Sequence, residues 1–478
     1  MKKGRSTAKL TDHTQKLANY VVNLQYDSIP HEVIERVKIM TLHTIGVSLA
    51  ASPIQMTKDV ANIAIEMNGG RGGGASLWVT GEQVSPMNAA FANGASADML
   101  DWEDCAWAGH PLCGTIPAGI GFAEANKKSG REFLEAAVAG FEVYQRVSMA
   151  VQPPKGIDHV EKGWGICNWQ IFSACVPAAK LLNLSSKQVN QALGMACTLS
   201  TIASNLAQAT MSDSYNYQQA VAAQSGALSA LIAKYGIRNL EGCFDIPYAY
   251  GEHLTPEVDN TWFNRNLDNH FYTMDILLKH WPANMWVQTP VELVDMIIKE
   301  NDISADQIEE IIVNPPTIHR MRFREDGFTS LTEAQFSMPY VIASVILEPS
   351  PGANWYTDEM MINPKLIELA QRVKAGTDPG DTLASSFEAY QNGTHPTKHV
   401  TIITKDGRVF EKSLSNHKGH PANMFTWEEI CNLFRQETAS VYTPAEAQKM
   451  IEYVMNIENM EDLSGFNQLL PTKNHQKG

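Results

Sequence analysis

The chain has 478 residues, 44% of them hydrophobic, and a formal net charge of −15, an ordinary globular composition with length for two or more domains. An acidic chain with no Lys/Arg-rich run does not read as a nucleic-acid binder, and no apolar stretch reaches the ~18 residues that a membrane span needs. The amino-terminal MKKGRSTAKLTDHTQKL is basic but has no apolar core of a secretory signal. The seven Cys are scattered in apolar contexts, which points to reduced thiols and a cytoplasmic location. Any anionic substrate needs a local basic pocket working against the overall field.

Taken in order, the first half reads as helix after helix. Asp12 or Thr14 can cap a helix with Leu17, Val21 and Leu24 on one face, and Ser28 and Pro30 start a second with Val33, Val37 and Met40. Gly69–Gly74 lacks the Lys-Ser/Thr of a phosphate loop and reads as a connection. Pro86 opens a third helix. The segments 116–126, 132–150, 170–183, 191–209 and 219–235 are rich in tiny residues, which suits helices packed closely. Composition changes near residue 275. Residues 309–315 read as a strand closed by proline, and 397–413 as a hairpin turning at Asp406-Gly407, a type I′ signal. Helical segments lie near 288–300, 333–347 and 364–373, and again at 426–436 and 443–456. Asn392-Gly393-Thr394 reads as a turn. The predicted fold is mainly α, a large all-helical domain built from both chain ends (1–274 and 412–478) with an inserted α+β lid domain (275–411).

No nucleophile elbow, phosphate loop or H-E-x-x-H is present. His417 and His420, near Cys431, lack a fourth ligand for zinc and read as an exposed loop. Four carboxylates, Asp98, Asp101, Glu103 and Asp104, stand at a helix C-terminus, where negative charge is disfavoured, and such local conflict marks a candidate site. Gly109-His110-Pro111 holds a histidine able to titrate near neutral pH. Lys279 lies where the helical half meets the inserted domain, a favoured place for a cleft. His319-Arg320-Met321-Arg322-Phe323-Arg324 is the densest basic stretch and reads as a carboxylate-binding fork, a strand edge or a subunit contact.

The order of these blocks resembles the 2-methylcitrate dehydratase (MmgE/PrpD) family, which includes cis-aconitate decarboxylase and iminodisuccinate epimerase. Asp101-Trp102-Glu103-Asp104 with Gly109-His110-Pro111 is similar to its D-F-D-D…H-P-S block, and Gly140-Phe141-Glu142-Val143-Tyr144-Gln145-Arg146 to its G-Y-E-V-x-x-R helix. Residues Ala178–Leu184 and Ala192–Ala196 resemble A-A-K-L-L-G-L and A-L-G-I-A. Lys279-His280-Trp281-Pro282 resembles K-x-[FY]-P, and Ala334–Tyr340 resembles A-R-F-S-x-P-Y. The resemblance implies a helical domain plus lid, a homodimer, no cofactor and no metal, with a small polycarboxylate as substrate. It carries over Asp101, His110 and Lys279 as site positions. Departures fall at Trp164, where the family has histidine, at Ser214-Tyr215-Asn216, where it has lysine, at Cys105 for threonine and at Asn284 for cysteine. Losing a lysine and a histidine favours a smaller or less charged substrate, or one with an apolar group facing Trp164.

The expected activity is a lyase, dehydratase or decarboxylase, on a citrate- or aconitate-like acid. His110 transfers the proton, Asp101 orients it or is the second proton group, Lys279 anchors a carboxylate and stabilises charge, and Tyr215 replaces the missing acid. Cys105, Trp164, His280, Arg320 and Arg322 are the expected substrate contacts. An epimerase of a substituted succinate fits the same residues, and a catalytically silent dimeric relative is the third reading.

Overall fold

The computed structural model describes residues 11–471 except 108, 153–166, 201–206, 208–209, 247, 256, 268, 383–384, 386–387 and 390–394. Trp164 and the Asn392-Gly393-Thr394 turn lie outside the described residues. Helices dominate. The first half runs through His13–Asn23, His31–Ala50, Gln55–Met67, Pro86–Asp98, Leu112–Ala125, Gly130–Val151, Cys167–Leu181, Ser186–Leu199 and Asn216–Lys234.

Cys167–Leu181 sits at the centre, packed against Leu112–Ala125, Gly130–Val151 and Asn216–Lys234. Tiny residues make that approach possible. A Cβ on Gly226 would lie 2.3 Å from Ile171 O, and one on Gly114 1.8 Å from Ser173 Oγ. Ala90, Ala118, Ala174 and Ala223 fill the space between four helices. Backbone hydrogen bonds within a helix are internal, so two helices can approach closely without competing for them. Among the described residues no single helix is long and apolar enough to cross a membrane.

The second half carries a four-stranded sheet in the order Val373–Ala375, Ile308–Asn314, Lys398–Thr404, Val409–Leu414. The first pair is parallel and the others antiparallel. Helix Gln288–Asn301 covers one face, where Val400 and Ile402 alternate with less buried neighbours. Three expectations are corrected. The helix expected over 364–373 stops at Gln371, and the chain joins the sheet as its parallel edge. The helix expected over 333–347 breaks at Phe336-Ser337, where Ser337 accepts from Tyr340 N and caps Met338–Leu347. The hairpin turns at Asp406-Gly407, but only Gly407 has positive φ. Gly407 N donates to Thr404 O and Thr404 N to Arg408 O, a three-residue loop with glycine in the left-handed position. Finally Trp427–Glu437 and Pro444–Met455 pack on His31–Ala50.

One buried ion pair fixes the path toward Lys279. Glu142 and Arg146, both wholly buried, meet through Oε2 and Nη1 at 2.5 Å. Arg146 also donates to the carbonyls of Arg265, Asn266 and His270. Glu142 Oε1 accepts from Thr273 N and Oγ1, each at 2.7 Å. Both charges are thereby satisfied, and the segment 265–273 is tied to the helical core just before the strand Leu277–Leu278. Glu142→Ala leaves the Arg146 guanidinium buried without its carboxylate and is expected to destabilise folding by about 3–5 kcal/mol. Urea denaturation followed by circular dichroism measures this. A loss under about 1 kcal/mol would show that the carbonyls alone satisfy the arginine.

Candidate active site

The helix Pro86–Asp98 ends directly in the carboxylate loop. Asp98, Asp101, Glu103 and Asp104 are all wholly buried, so the cluster needs cations or protons to exist. Asp101 has φ 49°, the left-handed region that Asp tolerates better than most side chains. The turn it makes sends the chain into Asp104–Cys105, which pairs antiparallel with Leu277–Leu278. That two-residue ladder sets Lys279 beside Glu103, whose carbonyl accepts from Lys279 N at 3.3 Å.

Lys279 is wholly buried, and its Nζ donates to Asp101 Oδ1 and, at 2.8 Å, to Glu103 Oε1. His110 Nδ1 lies 2.7 Å from the same Glu103 Oε1 and 2.6 Å from Asp104 O. A carbonyl only accepts, so Nδ1 carries the hydrogen and Nε2 is left without a protein partner among the described residues. Gln170 Nε2 donates to His110 O and fixes the backbone behind the ring. On the other side, Asn284 Nδ2 reaches Asp101 Oδ2 at 3.4 Å, and Asn284 Oδ1 accepts from Arg320 Nε at 2.7 Å. The Arg320 guanidinium lies 4.5 Å over the Phe336 ring. Its Nη2 is buried with no acceptor among the described residues. Tyr215 stands edge-on to the same Phe336 at 5.4 Å.

The electrostatics divide the four acids. For Glu103, burial favours the neutral form, but Lys279 and His110 outweigh it and hold the carboxyl down at about 2. Burial pushes Asp101 up despite Lys279, and pushes Asp98 and Asp104 well up, with the neighbouring carboxylates adding to it. Burial also lowers Arg320 to about 9 and raises the Tyr215 phenol well up. For Lys279 the two carboxylates overcome desolvation and raise it. A further cation that the sequence did not single out, Arg36, is buried on the helix His31–Ala50 and feels Asp104.

The structure brings Asp101, His110 and Lys279 together, with Arg320 and Tyr215 adjoining. The contacts differ from those expected at two points. His110 Nδ1 meets Glu103 rather than Asp101, and the Lys279 ammonium is bonded to two protein carboxylates. Cys105 donates to Ala106 O and packs with Leu277 and Met285. His280 and Arg322 fall away from the cluster. His280 pairs with Glu292 at 2.6 Å beside Phe425, and Arg322 is exposed. Glu103 and Asn284 stood in the sequence beside the residues assigned roles, but side-chain direction in an irregular loop has no periodicity to read.

Among the described residues, two groups of donor atoms converge within 4.8 Å, Asp101-Glu103-His110 and Asp98-Glu103-Cys113. A divalent ion in the first would have to displace Lys279 from both carboxylates. His417 and His420, expected in an exposed loop, are buried instead, and both rings face His395, at 6.0 and 4.9 Å. Burial lowers His417 to about 3 and His420 to about 4, so both are neutral at physiological pH.

Asp98 has both carboxyl oxygens buried without a hydrogen-bond partner among the described residues. Its folded-state pKa lies above the ordinary 3.8, so its contribution to stability is complete below that value and is lost as pH rises through the folded pKa. Asp98→Asn keeps the shape and cannot ionise. The melting temperature of the variant relative to the parent should therefore be more favourable at about pH 9 than at about pH 5. A difference independent of pH would mean that Asp98 does not carry its proton into the neutral range.

Comparison with known proteins agrees with this layout. Residues 15–260 match the MmgE/PrpD N-terminal domain and residues 281–459 the MmgE/PrpD C-terminal domain. The second match runs well past residue 411, where the sequence alone suggested that the lid ends. Human cis-aconitate decarboxylase is 25% identical over 96% of this chain and 94% of its own length. The cis-aconitate decarboxylase of Aspergillus terreus is 23% identical over 96% of this chain and 95% of its own. The cis-aconitate decarboxylase-like protein oryM of Aspergillus oryzae is 23% identical over 94% and 95%. With both domains matched in order across nearly all of its length, the chain belongs to the MmgE/PrpD family.

Proposed function

We propose that this protein is a lyase that decarboxylates a small aconitate-like polycarboxylate, using side chains alone for proton transfer and charge stabilisation. The observation that carries the reading is the pairing of two unsatisfied groups. His110 is fixed through Nδ1 by Glu103 and presents only Nε2. Arg320 is buried, and its Nη2 has no acceptor among the described residues. One is a proton donor or acceptor, and the other is a carboxylate fork. Two of the relatives named above are cis-aconitate decarboxylases, which supports this choice over epimerisation.

In such a reaction the carbon–carbon bond to one carboxylate breaks and carbon dioxide leaves. The electron pair stays on the carbon skeleton, conjugated with a retained carboxylate. Arg320 binds that retained carboxylate and stabilises the charge as it develops. The His110 imidazolium delivers a proton from Nε2 to carbon. Glu103, ionised because of Lys279 and His110, stabilises the imidazolium and fixes its ring. Tyr215, whose phenol is held neutral, is a hydrogen-bond donor to the substrate rather than a base. Lys279 maintains the ionised Glu103 and the orientation of Asp101.

Proton NMR in D2O with cis-aconitate, citrate, 2-methylcitrate and substituted succinates tests the reading without presupposing a reaction. Decarboxylation gives a new alkene signal and one solvent deuteron in the product. Exchange at an α-carbon without net loss would instead establish an epimerase, and an unchanged panel would remove the lyase assignment. His110→Ala is expected to lower kcat by about 10²–10⁴ with little change in KM. Arg320→Gln should raise KM by about 10–100-fold, from the loss of a charged hydrogen-bond pair. Steady-state kinetics on the purified variants separates the two effects. A KM unchanged in Arg320→Gln would rule out its carboxylate contact.

A further inference from the structure

The helix His31–Ala50 places one imidazole, His43, wholly buried behind the carboxylate loop. Its Nε2 lies 2.9 Å from Trp102 O and 2.8 Å from Glu103 O. Both partners only accept, so Nε2 carries a hydrogen shared between the two carbonyls. Nδ1 faces Glu437 Oε1 at 3.2 Å. Glu437 is the last residue of the helix Trp427–Glu437 and is buried. Both atoms are buried, and neither meets another hydrogen-bond partner among the described residues. Burial raises the Glu437 pKa, with His43 and His280 opposing. The carboxylate occupies a notch left by Gly46, where a Cβ would lie 1.9 Å from Oε2. A helix far along the chain thus reaches, through one ring, the peptide units between Asp101 and Asp104.

We propose that His43 and Glu437 are positioning residues for the proton-transfer site, a role that rests on the function proposed above. Glu437 fixes the tautomer and tilt of His43. His43 holds the Trp102 and Glu103 carbonyls on the side of the loop opposite to the reacting groups. With those two peptide planes fixed, the Glu103 side chain is aimed at both Lys279 and His110, and the left-handed turn at Asp101 is held closed. Glu103 O also accepts from Lys279 N, so the same carbonyl joins the His43 ring to the strand that delivers the lysine. Filling space needs only a ring of the right volume. Holding the carbonyls needs a donor at the Nε2 position.

That difference defines the test. His43→Leu, His43→Gln, Glu437→Leu and Glu437→Gln are compared in the full chain by hydrogen–deuterium exchange of the peptide spanning residues 99–105 and by steady-state kinetics. The Leu variants lose the donor or its support. Exchange in that peptide is expected to rise about tenfold, and kcat to fall by about 10–100-fold with KM within about threefold, since no substrate contact is touched. Each Gln variant should recover a large part of both, because its amide can donate to the same carbonyls or to Nδ1. Gly46→Ala, which pushes on the Glu437 carboxylate, should resemble Glu437→Leu. If His43→Leu does not fold, His43→Gln set against Glu437→Leu carries the same contrast. Equal impairment of Leu and Gln at either position, or parent-like exchange and kcat in the Leu variants, overturns the proposal. A parent protein with no polycarboxylate turnover would overturn the function proposed above, while the exchange pattern would still report whether His43 holds the loop.

Discussion

The buried ammonium of Lys279 is the constraint on which the rest of the site depends. An ion taken from water loses several kcal/mol of solvation, and this is offset only when its partners are placed to satisfy it. Here Asp101 and Glu103 do so from one loop, while the lysine arrives on another strand. The ammonium determines which acids ionise. Glu103, bound to Lys279 and His110, is fully charged, and Asp98, with no cation bonded to it, is pushed up by burial and its neighbours. Lys279 and Arg320 then balance Asp101 and Glu103. Arg36, buried on the helix His31–Ala50 and facing Asp104, adds a further cation to the cluster inside a chain of net charge −15. An anionic substrate requires such local cations.

Such a cluster is stable only if distant pieces of chain arrive together. The ladder joining Asp104–Cys105 to Leu277–Leu278 spans more than a third of the sequence. Two paired residues per strand cannot hold that closure by themselves. The Glu142–Arg146 pair does part of it by gripping residues 265–273, and the close helix packing through Gly114 and Gly226 makes the base rigid. Catalytic geometry here is a property of tertiary packing rather than of any one motif.

The long helices were legible because apolar periodicity and caps are local. Pro86 at the start of its helix and the small-residue segments around 170–183 and 219–235 read correctly for that reason. What the sequence could not show was direction. A loop residue at φ 49° decides that Asp101 and Glu103 both face Lys279, and nothing in Asp-Trp-Glu-Asp reveals that turn. The parallel edge Val373–Ala375 is three residues long and follows a helix with the same apolar face. His43 and Glu437 lie on helices that carry several other polar residues, so nothing in the pattern distinguishes them. His417 and His420 read as a surface loop because the sequence offers no fourth zinc ligand around them. In the fold they are buried beside His395, a residue about twenty positions earlier in the chain.

The substitutions at Trp164 and Tyr215 suggested a site poorer in positive charge. The geometry offsets part of that loss. Asn216, in the segment where the family lysine falls, donates to Asp98 O and Met99 O and closes the end of the helix that carries the acids. Tyr215 contributes a neutral donor. The charge is supplied from elsewhere, by Arg320, stacked on Phe336 and tied to Asp101 through Asn284. A guanidinium differs from an ammonium in presenting a planar, two-pronged donor. In this chain the buried cation next to Asn284 is of that planar kind, while the segment 214–216 carries none.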